Sequence, residues 1–288
     1  MSNIVLITGA NTGIGFETVK ALAGSNQAYT ILLGGRSLEK VKTAIAAAKK
    51  EFPSSASTLV PIQIDIESDD SIESAFAEVQ SKYGKLDVLV YKAGKDYSYY
   101  VTFLPYHNDT GTRTNKPSGA QFDQLVAAGK LGALEMWNRT WNVNTTSSHI
   151  MTSTFAPLLL KSSDPRLLFL ASGTSSLAGT ENAAIPVNKV PPKGWPKTGF
   201  SVPAYRSAKT GLNMVMREWY RWLKEDGVKV FAVSPGFLAT GLGGNPEASK
   251  KIGALEPSVA GPFILSIIEG KRDADVGKVI NKDGVQTW

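Results

Sequence analysis

Residues 4–15 read IVLITGANTGIG, a short apolar run followed at once by closely spaced glycines. Apolar residues at helical spacing come next, at Phe16, Val19 and Leu22. This order predicts a strand, a tight glycine turn and a helix whose N-terminal N–H groups and dipole suit a pyrophosphate. A strand–helix turn without any ligand is the alternative. The residues expected to touch a dinucleotide here are Gly9, Asn11, Thr12, Gly13, Ile14 and Gly15.

The strand–helix alternation continues outward from this turn. Apolar runs predict further strands at 29–33, 59–64 and 86–90, and helical periods predict helices at 38–52 and 71–83. Such an order is typical of a doubly wound parallel sheet. We therefore predict an α/β fold, with one Rossmann-like NAD(P)-binding domain over residues 1–288, about seven strands and helices on both faces.

The second half of the chain keeps the same kinds of element. It predicts a long helical region at 134–161, strands at 166–171, 228–233 and about 278–281, and a helix that carries Tyr205. Aromatic residues lie on more than one side of the long helical region, so we expect it to be buried both against the sheet and against a second surface.

Two stretches interrupt the alternation, at about 95–119 and 173–203, and both are rich in turn residues. Long loops of this kind are usually functional lids or disordered. We interpret both as insertions. The first is either a substrate lid or an unnatural inclusion, and the sequence leaves that choice open.

Composition excludes several classes of protein. The chain has no cysteine and only His107 and His149, so we expect neither a disulfide framework nor a metal site. The net charge of +6 comes from scattered basic residues, which favours a solvated surface over a nucleic-acid face. No apolar run approaches the roughly 18 residues of a membrane span, and no basic leader precedes the first strand. We expect a cytoplasmic protein without a membrane segment.

Tyr205 and Lys209 are four positions apart and lie on one face of the predicted helix. A phenol with a pKa of about 10 is a poor base at neutral pH, but a nearby ammonium stabilises the phenolate and lowers that pKa. The pair therefore suits proton exchange between an alcohol and a carbonyl. Taken alone the pattern is weak, since it occurs by chance in many helices.

Two residues at strand ends bear on the nucleotide. Gly35 stands at the place where an acidic residue would bind a free ribose 2′-hydroxyl, and Arg36 follows it directly. An arginine near this place favours a 2′-phosphate. A solvated loop arginine is the alternative. Asp65 ends the third predicted strand, where it either accepts from an adenine amino group or caps the helix that starts near Ser68.

Several motifs occur along the chain in a fixed order. They are Thr8-Gly9 with Gly13-Ile14-Gly15, Asp65, Asn144, Ser172, Tyr205 with Lys209, and Pro235-Gly236. Taken together, these motifs resemble those of the short-chain dehydrogenase/reductases, and the sequence is similar to the fungal carbonyl-reductase-like members. The resemblance covers nearly the whole chain.

The resemblance implies a role for each matching residue. Tyr205 would be the catalytic acid and base, and Lys209 would lower its pKa and hold the nicotinamide ribose. Ser172 would orient and polarise the substrate carbonyl, and Asn144 would hold a water of the proton relay. Further cofactor contacts are implied at Ile66, Ala93, Gly94, Pro235, Gly236, Phe237 and Thr240.

The implied activity is NADPH-dependent reduction of a ketone or aldehyde, reversible as alcohol oxidation, with NAD the less favoured cofactor. The implied partners are a small carbonyl or alcohol substrate, apolar or aromatic, and further copies of the chain in a homodimer or homotetramer. The alternative is a nucleotide-binding regulatory protein of the same fold with little or no turnover.

Three departures from the family pattern stand out. Tyr91-Lys92 replaces the usual Asn-Asn after the fourth strand, which puts cofactor affinity and stability in question. Residues 95–119 are absent from most members. Ser172 and Tyr205 are 33 positions apart, wider than usual, so the stretch between them must loop outward for the two side chains to meet.

Overall fold

The computed structural model describes residues 2–92, 132–195, 202–243 and 245–288. The segment 95–119, together with Ala93 and Gly94, lies outside the described residues, as does the end of the 173–203 stretch.

Strands within these residues form one sheet in the order β3-β2-β1-β4-β5-β6-β7-β8. Neighbouring strands are parallel except β7 and β8, which are antiparallel. The predicted doubly wound α/β fold is confirmed. The added eighth strand is a two-residue return that pairs with β7, too short to leave a period in the sequence. The strands are β1 Asn3–Ile7, β2 Tyr29–Gly35, β3 Thr58–Gln63, β4 Val88–Tyr91, β5 Arg166–Leu170, β6 Lys229–Val233, β7 Val279–Asn281 and β8 Gly284–Val285.

Helices cover both faces of the sheet. The last two described helices, α7 and α8, were not predicted, because α7 is only six residues long and α8 is almost entirely apolar, so neither shows an amphipathic period. The α-helices are α1 Gly13–Ala23, α2 Leu38–Glu51, α3 Asp69–Tyr83, α4 Ala133–Trp141, α5 Ser147–Leu159, α6 Pro203–Leu223, α7 Pro246–Lys251 and α8 Ala260–Ile268.

The core lies in two layers, one on each face of the sheet. Leu6 and Leu32 face the layer formed by α3, α5 and α6, whereas Val5, Ile7 and Ile31 face the layer formed by α1, α2 and α8. Both layers are needed because the strands are apolar at almost every position, as is typical of a parallel sheet buried on both sides.

The predicted helical region at 134–161 is not one regular helix. A π-helical turn, Asn142–Thr146, separates α4 from α5. Such turns widen the backbone locally and often occur at functional sites. Within the described ranges, no helix is both long and apolar enough to cross a membrane.

Candidate active site

The glycine turn after β1 is shaped by backbone that side chains would obstruct. Gly9 and Gly13 have φ angles of 58° and 53°, a region that favours glycine. A Cβ on Gly15 would overlap the carbonyl oxygen of Gly9, so α1 can approach the turn only without that side chain. Thr12 precedes α1 without capping it through its own side chain, which leaves the helix N-terminus available to a ligand.

A cavity of about 530 Å³ opens beside this turn at the carboxyl ends of the strands. It brings together six residues predicted to bind cofactor: Gly9, Asn11, Thr12, Arg36, Asp65 and Ile66. Sequence reasoning missed other residues that line the same cavity, among them Ser37, Lys40, Glu67, Lys92 and Val143. Two of these had a usable signal. Lys92 stands where the family pattern has an asparagine tied to cofactor affinity, and Lys40 lies four positions beyond Arg36.

The wall of the cavity after β2 is cationic. Arg36 is exposed, and its guanidinium lies 4.0 Å from the Glu67 carboxylate, at the limit of an ion pair. Lys40 stands in the first turn of α2, whose N-terminus is capped by the Ser37 hydroxyl. Gly35 is enclosed, since a Cβ there would lie 2.7 Å from a methyl of the buried Val41. Packing therefore disfavours an acidic residue at that position.

Asp65 lies at the cavity, and its carboxylate accepts from the backbone N–H of Glu67 at 3.2 Å. The cap of α3 is instead the hydroxyl of Ser68, which accepts from the N–H of Ser71 at 3.3 Å. The capping alternative for Asp65 is therefore wrong, and its carboxylate stays at the pocket.

The segment after β6 connects the glycine turn with the rest of the site. Thr240 lies beside the turn, with its methyl 3.6 Å from the Cβ position of Gly13. The hydroxyl oxygen of Ser234 lies 3.7 Å from the place where a Cβ on Gly173 would be. Between them are Pro235, Gly236 and the half-exposed Phe237; Gly236 has a φ of 101°.

Tyr205 and Lys209 both lie on α6, as the helical spacing predicted. The Lys209 ammonium is 5.8 Å from the centre of the Tyr205 ring. Lys209 is only 2% exposed, and its ammonium donates to the carbonyl of Leu170 at 2.7 Å. Tyr205 is half-buried. The bond to Leu170 attaches α6 to the carboxyl end of β5, two residues before Ser172.

Ser172 is held near the start of α6 despite its distance from Tyr205 in sequence. Its hydroxyl accepts from the N–H of Thr174 at 3.2 Å, and the Arg206 guanidinium donates to the Thr174 carbonyl at 3.1 Å. Ser175 donates to the Ser172 carbonyl at 2.6 Å and accepts from the Asn213 amide at 3.0 Å. These bonds join the Ser172 turn to α6.

The described part of the 173–203 stretch also folds back on α6. Arg206 donates a second bond, to the side-chain oxygen of Asn188, at 2.9 Å. Short 3₁₀ turns at Gly173–Ser175, Ala178–Glu181 and Pro186–Asn188 compact the chain between these anchor points. The bond from Arg206 to Thr174 therefore holds the start of the excursion against the first turn of α6, one residue from Tyr205.

Asn144 lies inside the π-helical turn and is fully buried, and its amide donates to the Thr140 carbonyl at 2.9 Å. The next residue, Thr145, donates its hydroxyl to the carbonyl of Ala208 at 2.8 Å. This bond sets the π turn against α6 immediately before Lys209. Nothing in the local sequence predicted the π turn.

Tyr91, which replaces the first asparagine of the family pattern, reaches the same turn. Its buried hydroxyl donates to the carbonyl of Val143 at 2.9 Å. Burial raises the pKa of Tyr91 well above its usual value, so the phenol stays a proton donor. The tyrosine therefore connects the end of β4 to the backbone next to Asn144.

The sheet topology and the cavity at its carboxyl edge define a Rossmann-type fold with a cleft suited to a dinucleotide. The chain belongs to the short-chain dehydrogenases, since the profile described as "short chain dehydrogenase" matches residues 3–185. It is 43% identical to the short-chain dehydrogenase/reductase eupG of Phoma sp, over 99% of this chain and 97% of that protein. It is also 43% identical to tropE of Talaromyces stipitatus, over 97% and 95%.

Among solved structures, the fold is similar to an NADPH-bound carbonyl reductase from chicken fatty liver. The TM-score is 0.71 at 20% identity, over 100% of this chain and 99% of the other.

We expect Tyr91→Phe to lower the free energy of unfolding by about 1–2 kcal/mol, because it removes the donor to a buried carbonyl and keeps the ring. Urea denaturation followed by circular dichroism measures this. Tyr83→Phe is the matched control, since Tyr83 packs on the same core and its hydroxyl makes no hydrogen bond to another described residue. Equal stability of the two variants would contradict a structural role for the Tyr91 hydroxyl.

Proposed function

We propose that the protein is an NADPH-dependent reductase of a ketone or aldehyde, reversible as an alcohol dehydrogenase. The observation that carries this is the attachment of the Tyr205–Lys209 helix to the Ser172 turn at the strand edge that also holds the nucleotide cavity. The chicken carbonyl reductase, whose structure is described as NADPH-bound, supports the proposal through its shared fold.

The residues at the cavity fit a nicotinamide dinucleotide. The glycine turn leaves room for a pyrophosphate at the N-terminus of α1. Asp65 and Ile66 line the cavity where they would border an adenine. Arg36 and Lys40 supply positive charge, and the enclosed Gly35 keeps an acidic side chain out of that position, although Glu67 lies 4.0 Å from Arg36 in the same cavity. These features favour NADPH over NADH.

When bound at the cavity, the cofactor would supply the hydride that reduces the carbonyl carbon. Tyr205 donates its phenolic proton to the carbonyl oxygen, and the Ser172 hydroxyl donates a hydrogen bond to the same oxygen. The Lys209 ammonium stabilises the phenolate that Tyr205 becomes. The Asn144 amide holds a water through which the proton on Tyr205 is replaced.

Tyr205→Phe should lower kcat by roughly a hundredfold or more, since it deletes the general acid, while NADPH still binds with nearly the same Kd. Loss of NADPH absorbance with a panel of activated ketones and aldehydes measures kcat, and fluorescence titration measures Kd. Tyr220→Phe, further along the same helix, is the control and should stay active. Retention of most of kcat in Tyr205→Phe would reject the assignment of the acid. A wild-type protein that binds NADPH yet turns over no carbonyl compound would favour the regulatory alternative.

Arg36→Ala should raise KM for NADPH about tenfold more than KM for NADH, because only NADPH loses a charge-assisted contact to its 2′-phosphate. Initial rates with each cofactor test this, and Arg221→Ala is the control because Arg221 pairs with Glu218 on an exposed part of α6. Equal changes for the two cofactors would show that Arg36 is a solvated loop residue. Gly35→Asp is a poorer test, since its Cβ would press on Val41.

We also propose that the chain assembles as a homodimer or homotetramer. Trp219 is buried in its own core, but Trp141 on α4 and Trp222 on α6 are 44% and 49% exposed. Light scattering at micromolar concentration should give a multimeric mass, and Trp222→Glu should shift it toward the monomer. Trp195→Glu is the control, because Trp195 is 88% exposed and belongs to neither helix. A monomeric wild type would contradict the proposal.

A further inference from the structure

Lys92 takes the second position of the dipeptide that departs from the family pattern, and its backbone is held in place at the end of β4. Its N–H donates to the Thr8 hydroxyl at 3.0 Å, and that hydroxyl donates to the Lys92 carbonyl at 3.2 Å. Thr8 begins the glycine turn after β1. The position of Lys92 relative to that turn is therefore set by two bonds between neighbouring strand ends.

The side chain of Lys92 extends over the glycine turn. Its Cδ lies 3.0 Å, and its ammonium 3.5 Å, from the place where a Cβ on Gly9 would be. Lys92 also lines the nucleotide cavity, together with Gly9 and Asn11. The absence of a side chain at Gly9 leaves the space that the lysine uses.

The Lys92 ammonium has no hydrogen-bond or ion-pair partner among the residues that the structure describes, although Asp65 and Glu67 line the same cavity. Burial lowers the pKa of Lys92 below its usual value, with no opposing contribution from a neighbouring carboxylate. The ammonium is half-buried and lacks a partner among the described residues, which costs free energy relative to full solvation. An anionic ligand in the cavity would remove that cost.

The order of the strands says which part of a dinucleotide the ammonium would meet. β1 lies between β2 and β4 in the sheet, so the glycine turn after β1 is flanked by Arg36 on one side and Lys92 on the other. The next strand beyond β4 is β5, which leads to Ser172. A dinucleotide with its 2′-phosphate at Arg36 and its reactive end near Ser172 crosses the glycine turn with its pyrophosphate beside Lys92.

We propose that Lys92 binds a pyrophosphate oxygen of the cofactor, and so supports NADH and NADPH equally, whereas Arg36 serves only the 2′-phosphate. This rests on the proposed function, because it takes the cavity to be the dinucleotide site. Because NADH and NADPH contain the same pyrophosphate, a contact from Lys92 to it does not discriminate between the two cofactors.

The test is the Kd of the purified protein for NADPH, NADH and ADP-ribose, measured by isothermal titration calorimetry. Lys92→Met keeps the length of the side chain and removes the charge. We expect it to raise the Kd for all three ligands by a similar factor of about ten, which corresponds to the loss of one charge-assisted contact. Arg36→Ala is the matched comparison and should raise the Kd for NADPH alone. The double variant should show the product of the two factors for NADPH, since the sites are separate.

The thermal midpoint of the ligand-free protein separates binding from folding. Lys92→Met should unfold at an equal or higher temperature than the wild type, because it removes an ammonium that has no partner among the described residues. A lower midpoint together with weaker binding would overturn the proposal in favour of a structural role. Lys92→Gln provides a second neutral variant if Lys92→Met does not fold.

Two other results would also overturn the proposal. Unchanged Kd values in Lys92→Met would show that the ammonium does not contact the cofactor, and a loss confined to NADPH would assign it to the 2′-phosphate. Failure of the wild type to bind any of the three ligands would instead reject the proposed function, so the two failures are distinguishable.

Discussion

The close approach of α1 to the glycine turn is the constraint on which the site depends. Because Gly15 has no side chain, the helix begins directly against the carbonyl of Gly9. The turn is fixed to its neighbours by backbone bonds, from Thr8 N–H to the Val90 carbonyl and from Ala10 N–H to the Gly34 carbonyl. The ends of β2 and β4 are therefore held on either side of it. One tight turn thus sets the places of both segments that line the nucleotide cavity.

A second constraint joins the nucleotide cavity to the proposed chemistry. The Lys209 ammonium is buried, and a buried charge requires acceptors in fixed positions. The Leu170 carbonyl is one of them, so the helix that carries Tyr205 cannot slide along β5 without losing this bond. Arg206 and Asn213 add polar contacts to the turn after Ser172. The long excursion between Ser172 and Tyr205 is tolerated because its anchors lie on α6.

Tyr91 and Lys92 stand where the family pattern has two asparagines, and their surroundings differ. Tyr91 points into the core and bonds to the π turn beside Asn144, so its contribution is to packing and position. Lys92 follows the last residue of β4, lines the cavity and carries charge without a partner among the described residues. Two residues that are neighbours in sequence therefore meet unrelated environments.

The sequence by itself determined the order of the strands through β7 and of the longer amphipathic helices, the glycine turn and the single face shared by Tyr205 and Lys209. These features follow from periodicity and spacing over a few residues, which the chain carries locally. It did not predict the π turn at Asn142–Thr146, the helices α7 and α8, the short strand β8, or the presence of Lys40 in the cavity. It also left open whether Asp65 caps α3. Each of these depends on which distant segments come into contact, as when Thr145 meets Ala208 or Lys92 covers Gly9. Only the folded sheet decides those contacts, because strand order brings together residues that no local pattern relates.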